Sequence, residues 1–101
     1  MNIAIFTGGD SSEYVISMKS ASQVLKWLEA AGHSCYLVEV RKNKWTVHVG
    51  GKMVPLDKNN LSFQNKEETI TFDFIWNTIH GTPGEDGKLQ GYFDIMGIPY
   101  S

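Results

Sequence analysis

Apolar positions fall into three kinds of pattern along the 101 residues. Residues 2–6, NIAIF, form a short continuous apolar run that ends in Thr7-Gly8-Gly9. Such a run, bounded by glycines, predicts a strand buried on both faces and its exit loop. Met18, Ala21, Val24, Leu25, Leu28 and Ala31 then recur at spacings of three and four, the stripe of a helix over 18–31. Ser17 suits its N-cap and Gly32 its C′ position. Residues 34–40, SCYLVEV, predict a second strand and complete a βαβ unit, whose crossover should be right-handed.

The period then changes to two. Trp45, Val47 and Val49 alternate with Thr46 and His48, and Gly50-Gly51 separates them from the next apolar run. Two glycines there predict a hairpin, because a primed turn needs φ > 0 at its centre. His48 sits on the polar phase and reads as an exposed strand residue, and Pro55 implies that the second arm soon ends or lies at an edge. Residues 57–68 are polar and turn-rich and read as surface loop with at most a short strand. TITFDFIWNTI (69–79) is the strongest strand signal, enough for two short strands meeting near Phe72-Asp73. Leu89, Tyr92, Phe93 and Met96 predict a second helix over 86–96, stopped by Gly97, and IPY opens another extended segment. The expected architecture is α/β: a Rossmann-like open sheet, mostly parallel, flanked by helices, with a β-hairpin insertion. The strand just begun at the last residues suggests the first domain of a longer protein.

Composition narrows the classes. An apolar fraction of 42% and a charged fraction of 20% are globular proportions. A net charge of −2 without a basic cluster argues against a dedicated nucleic-acid binder. The single Cys35 allows no intrachain disulfide and reads as a buried small apolar residue. No run approaches the ~18 apolar residues of a membrane span. The opening MNIAIF has no basic lead or long apolar core, so a cytoplasmic protein is expected.

Two loops hold the chemistry: TGGDSSEYVIS (7–17) and HGTPGEDG (80–87). Both leave a strand and enter a helix, and loops at the carboxyl ends of neighbouring parallel strands converge on one crevice. The first loop carries neither G-x-G-x-x-G nor a Walker motif. Glu13 fits a capping box with Asp10, and equally a carboxylate that binds an ammonium group. His80 ends a strand, either satisfied by backbone in the turn or with its tautomer set by Glu85, five residues on. Gly81, Gly84 and Gly87 make a tight path, and amides opening the second helix could attract an anion. Gly91 inside a helix costs ~1 kcal/mol relative to Ala, so close packing is expected there.

At these residues the chain resembles the N-terminal domain of the D-alanine–D-alanine ligase family of ATP-grasp enzymes. His80, Gly81, Gly84, Glu85, Asp86, Gly87, Leu89, Gln90 and Gly91 match every fixed position of that family's first signature. Gly8, Gly9, Ser11, Glu13 and Ser17 match its first loop, and Gly97-Ile98-Pro99-Tyr100 looks like its domain boundary. Tyr14, Val15 and Ile16 stand where the family's loop usually continues with charged residues. The resemblance implies a chain, 1–101, that is one domain of an enzyme using ATP and Mg²⁺ to join two D-alanines through an acylphosphate for peptidoglycan. It implies that Glu13 holds the ammonium of the first D-alanine and that His80, oriented by Glu85, lines the same pocket with Gly81. ATP and Mg²⁺ would bind the enzyme's remaining domains, so this chain alone should be inactive, and a homodimer is expected. A stand-alone Rossmann-like module binding a ligand or partner protein, and a D-alanine–D-lactate ligase domain, are the alternatives.

Overall fold

The computed structural model describes residues 1–8, 14–41, 44–78 and 88–101. Its main sheet is built around β1 (Asn2–Gly8), flanked by β2 (Ser34–Arg41) and β7 (Phe74–Asn77), both parallel to it. β3 (Lys44–Val49) and β4 (Lys52–Pro55) extend the β2 side, giving the order β4-β3-β2-β1-β7. The sheet is therefore mixed, and the expectation of a mostly parallel one is corrected: β2–β3 and β3–β4 are antiparallel. The cause lies in the connections. Val49 pairs with Lys52 across Gly50 (φ 53) and Gly51 (φ 80), and a two-residue turn joins only antiparallel strands. Beyond β7, Tyr100 forms a parallel bridge to Ile75, so the IPY segment does begin a further pairing.

Period-two alternation sorts the central strand onto two cores. Ile3 and Ile5 pack with Ala21 and Val24 of α1 (Tyr14–Ala30) on one face. Ala4 and Phe6 pack with Phe93 of α2 (Lys88–Met96) on the other. α1 begins at Tyr14, so Ser17 lies inside it and is not its N-cap. The apolar stripe marks only the face that meets the sheet, and the helix runs on beyond it. Its end is as expected. The His33 amide donates to Leu28 O (3.1 Å) and the Gly32 amide to Glu29 O (3.0 Å), with Gly32 at φ 93. That is a Schellman cap. α2 ends the same way, with Ile98 donating to Phe93 O, Gly97 to Asp94 O, and Gly97 at φ 70.

Residues 57–68 hold the short strand allowed for them, and depart from a surface loop in their burial. They include β5 (Ser62–Asn65), which pairs antiparallel with β6 (Glu68–Thr71) as a separate ribbon. Leu61 and Phe63 are fully buried against the α2-side core. The turn signal is missing because Leu61 (φ 50) and Lys66 (φ 59) take the left-handed conformation without glycine. β6 and β7 do share the 69–79 run, and they part at Phe72-Asp73. His48 is half-buried, its Nε2 3.1 Å from Glu39 Oε1 on the next strand, rather than a free surface residue. Among the described residues no helix is long and apolar enough to cross a membrane.

Cys35 packs at the rim of the α1-side core, its thiol directed at His33 O (3.8 Å). Burial, then the charge of Glu29, pushes this thiol above its ordinary range, against a smaller opposing effect of the amino terminus. The folded state thus favours the protonated form. The stability this gives is complete below the ordinary thiol pKa and is lost as pH rises through the raised value. Alkylation of the folded chain by iodoacetamide should follow a pH curve displaced upward from that of the urea-unfolded chain; coincident curves would contradict this environment. In the α2-side core, Phe93→Ala should cost about 3–5 kcal/mol in urea unfolding. Ile95→Ala, two residues along on the opposite face at 84% exposure, should change stability by less than about 0.5 kcal/mol. Equal losses would mean that α2 docks through a different face.

Candidate functional site

The two motif-bearing connections start from adjacent strand tips. Ala4, Ile5 and Phe6 of β1 lie opposite Ile75, Trp76 and Asn77 of β7, in parallel register. Just past that register, the Thr78 amide and hydroxyl both donate to Phe6 O, at 2.9 and 2.7 Å. Thr78 is buried, so its hydroxyl needs that acceptor. The result is that the chain leaves β1 and β7 side by side, on the same edge of the sheet. From there it enters α1 on one face and α2 on the other. This is the carboxyl-edge geometry in which open α/β sheets bind ligands.

Glycine is required at the first exit. Gly8 has φ 101, and a Cβ there would lie 2.5 Å from Val40 O and 3.2 Å from Val40 N. The β1 exit is therefore pressed against the β2 backbone, closer than any side chain permits. One residue earlier, the fully buried Thr7 directs its hydroxyl at Met18 Sδ (3.2 Å), fastening the β1 tip to α1. Phe6 does the same on the other face. Its ring meets Phe93 edge-on at 5.0 Å and Trp45 at 5.7 Å. Trp45 in turn meets Tyr92 of α2 at 5.5 Å.

Of the residues expected to bind substrate, Glu13, His80, Gly81 and Glu85 all lie outside the described residues. The roots of their loops are described: Gly8 and Tyr14 bracket Glu13, and Thr78 and Lys88 bracket the others. Gly91 differs from expectation. It is exposed, and a Cβ on it would meet nothing within 4 Å, so no close packing explains it among the described residues. Thr7, Thr78, Trp45 and Tyr92 were not singled out as site residues by sequence reasoning. For the two threonines a signal exists, a polar β-branched residue closing an apolar run just before a glycine motif. A cleft of about 450 Å³, lined in part by Lys52, Gln64 and Lys66, lies between the hairpin turns. Val49 and Lys52 sit toward the start of β2, away from the strand tips, so this cleft is no part of the site. Among the described residues no group of three or more His, Cys, Asp or Glu could hold a metal ion.

Comparison with known proteins agrees with this geometry. A family model described as "D-ala D-ala ligase N-terminus" matches residues 2–101. A D-alanine–D-alanine ligase of Bacteroides fragilis is 50% identical over 101 residues, covering 99% of this chain and 31% of the relative. The chain thus spans about a third of the length of such relatives. Among solved structures, the D-alanyl-alanine synthetase A of Vibrio cholerae superposes with a TM-score of 0.84 at 34% identity, over 100% of this chain and 30% of that one. The VanG D-Ala:D-Ser ligase of Enterococcus faecalis gives 0.81 at 26% identity, over 98% and 34%. A Bacillus anthracis D-alanine–D-alanine ligase complexed with ATP gives 0.61 at 26% identity, over 100% and 28%.

Gly8→Ala should destabilise the chain by at least about 1–3 kcal/mol from backbone strain alone, read as a lowered urea midpoint. Gly32→Ala, at φ 93 with nothing within 4 Å, should cost less, because it adds strain without a clash. A Gly8→Ala loss no greater than that of Gly32→Ala would remove the close approach of β1 and β2 from the account.

Proposed function

The chain belongs to the D-Ala–D-Ala ligase N-terminal family, matched over residues 2–101, and on that premise we propose that it is the first domain of an ATP-dependent ligase that joins two D-alanines. In this reading the product serves peptidoglycan synthesis in the cytoplasm. The carboxylate of one D-alanine is converted to an acylphosphate with release of ADP, and the amine of the second displaces phosphate. ATP and Mg²⁺ are assigned to the part of the relatives' length that this chain does not span. The chain by itself supplies one wall of the amino-acid site and should be inactive. A homodimer remains part of the proposal.

The observation that carries the reading is the pairing of the β1 and β7 tips at Phe6 and Asn77. It roots the Glu13 loop and the His80–Glu85 loop beside each other. In the proposed site Glu13 accepts hydrogen bonds from the ammonium of the first D-alanine, a charge-assisted contact. His80 lines the same pocket, with Glu85 accepting from one ring nitrogen and so setting its tautomer. Gly81 lets the backbone approach the substrate without a side chain in the way. None of these contacts selects the second substrate. The likeness to a D-Ala:D-Ser ligase therefore fits the same division, with acceptor choice, D-lactate included, lying elsewhere.

The test is a chimera in which residues 1–101 replace the matching segment of the Bacteroides fragilis relative. It should form D-alanyl-D-alanine with release of ADP, whereas the 101-residue chain alone should release none. Glu13→Gln in the chimera should raise KM for the first D-alanine about 10–100-fold, the loss expected for a hydrogen bond to a charged group. His80→Ala should lower kcat/KM comparably. Near-normal constants in both variants would leave these residues as a helix cap and a turn.

A further inference from the structure

β7 is apolar on both faces, although only one of them is covered in full. Ile75 of its FIWN sequence is fully buried in the α2-side core. Phe74 and Trp76 point the other way, to the margin of the α1-side core, and both are half-buried. On that face α1 lies over β1 and β2, while α2 packs on the opposite face. A strand that is apolar on both sides is one that a sheet normally covers on both sides. The same margin is carried further by the last residues. The Ile75 amide donates to Pro99 O (2.9 Å), the Ser101 amide to Ile75 O (3.0 Å) and the Asn77 amide to Ser101 Oγ (3.2 Å). Ile98 and Tyr100 belong to the α2-side core, where the Tyr100 ring meets Phe93 at 5.5 Å and its hydroxyl donates to Asp94 Oδ1 (3.1 Å). Pro99 and Ser101 fall on the alternate phase, the side of Phe74 and Trp76, and are exposed. One face of this edge is therefore sealed, and the other carries two large rings that the described residues cover only in part.

We propose that the α1-side face of β7, built from Phe74 and Trp76 with Pro99 beside them, is a docking surface for the ligase segment that follows residue 101. The occupant's chemistry is that of an amphipathic helix, its apolar stripe laid on the two rings. Two observations select it. The chain covers 31% of the Bacteroides fragilis relative and matches the N-terminus of the family, so the rest of such a ligase follows residue 101. Residues 99–101 run parallel to β7, through the bridge of Tyr100 to Ile75, and so point to the carboxyl edge of the sheet. A chain continuing from a parallel strand returns across a face of the sheet, most often as a helix. At this edge α2 holds one face, which leaves the face of Phe74 and Trp76. A second copy of the chain would have to reach a patch beside which the chain's own continuation leaves the sheet. The proposal rests on the functional reading above for the existence of that segment.

Hydroxyl-radical labelling, read by mass spectrometry, compares the 101-residue chain with the chimera. Met53, exposed on β4 at the far edge of the sheet, serves as the internal reference. Relative to it, labelling of Phe74 and Trp76 should fall about three-fold or more in the chimera, as half-buried rings pass into the packed centre of an interface. In the 101-residue chain their labelling should not depend on concentration. Equal labelling in chain and chimera would overturn the proposal. So would protection in the 101-residue chain that grows with concentration together with a dimer in ultracentrifugation, which would give this face to a second copy. Labelling reads coverage and not catalysis. A chimera that protects both rings yet makes no D-alanyl-D-alanine would therefore sink the functional reading and leave the docking surface standing.

Discussion

The structure depends on what Phe6 does in two directions at once. Its carbonyl accepts both the amide and the hydroxyl of Thr78, which ties the tip of β7 to the tip of β1. Its ring sits between Phe93 and Trp45, which ties β1 to α2 and to the antiparallel extension. Each aromatic pair contributes about 0.5–1.5 kcal/mol beyond the area it buries, and a net hydrogen bond about 1 kcal/mol. None of these terms is large. They converge on one residue of the central strand, where a shift would be felt by both connections together.

Around that point residue type fixes the roots of the two connections. Thr7, Thr78 and Gly8 hold the roots of the connections at fixed places: the threonines by buried hydroxyls, the glycine by having no side chain to keep β2 away. The glycine-rich connections beyond them carry the polar chemistry. A ligand at the carboxyl edge can then be met from both faces of the sheet, because α1 and α2 leave on opposite sides. The site's precision comes from the scaffold that roots its loops.

Much of this was legible in the sequence because it rests on period and on glycine. The β1 run, the stripe of α1, the Gly50-Gly51 hairpin, the break at Phe72-Asp73 and the stops at Gly32 and Gly97 each have a local cause. The twelve residues from His80 to Gly91 pointed to the family by a different route, their resemblance to its first signature. What was misread depends on distant partners. Leu61 and Lys66 take left-handed backbone that only packing and pairing explain, so the pairing of β5 with β6 and the burial of Leu61 and Phe63 were not legible. His48 alternates as a surface residue should, yet the Glu39 carboxylate on the neighbouring strand half-buries it. The start of α1 was placed a turn late because an apolar stripe reports the buried face and says nothing of the first turn. The positions of the Glu13, His80 and Glu85 side chains lie outside the described residues, so the candidate site is legible as roots and topology.

The mixed sheet has a consequence for the site that a parallel one would lack. Were β2 followed by another crossover, its carboxyl end would lead into a helix. Instead the chain turns back, and Trp45 pairs with Val40 at the same edge as Gly8 and Thr78. The antiparallel arm therefore delivers a large aromatic ring to the side of the strand tips, where Phe6, Tyr92 and Lys58 gather on it. The hairpin insertion expected from the sequence thus adds, through Trp45, to the surface that Tyr92 of α2 packs against. Its first strand belongs to the architecture of the site as much as β1 and β7 do.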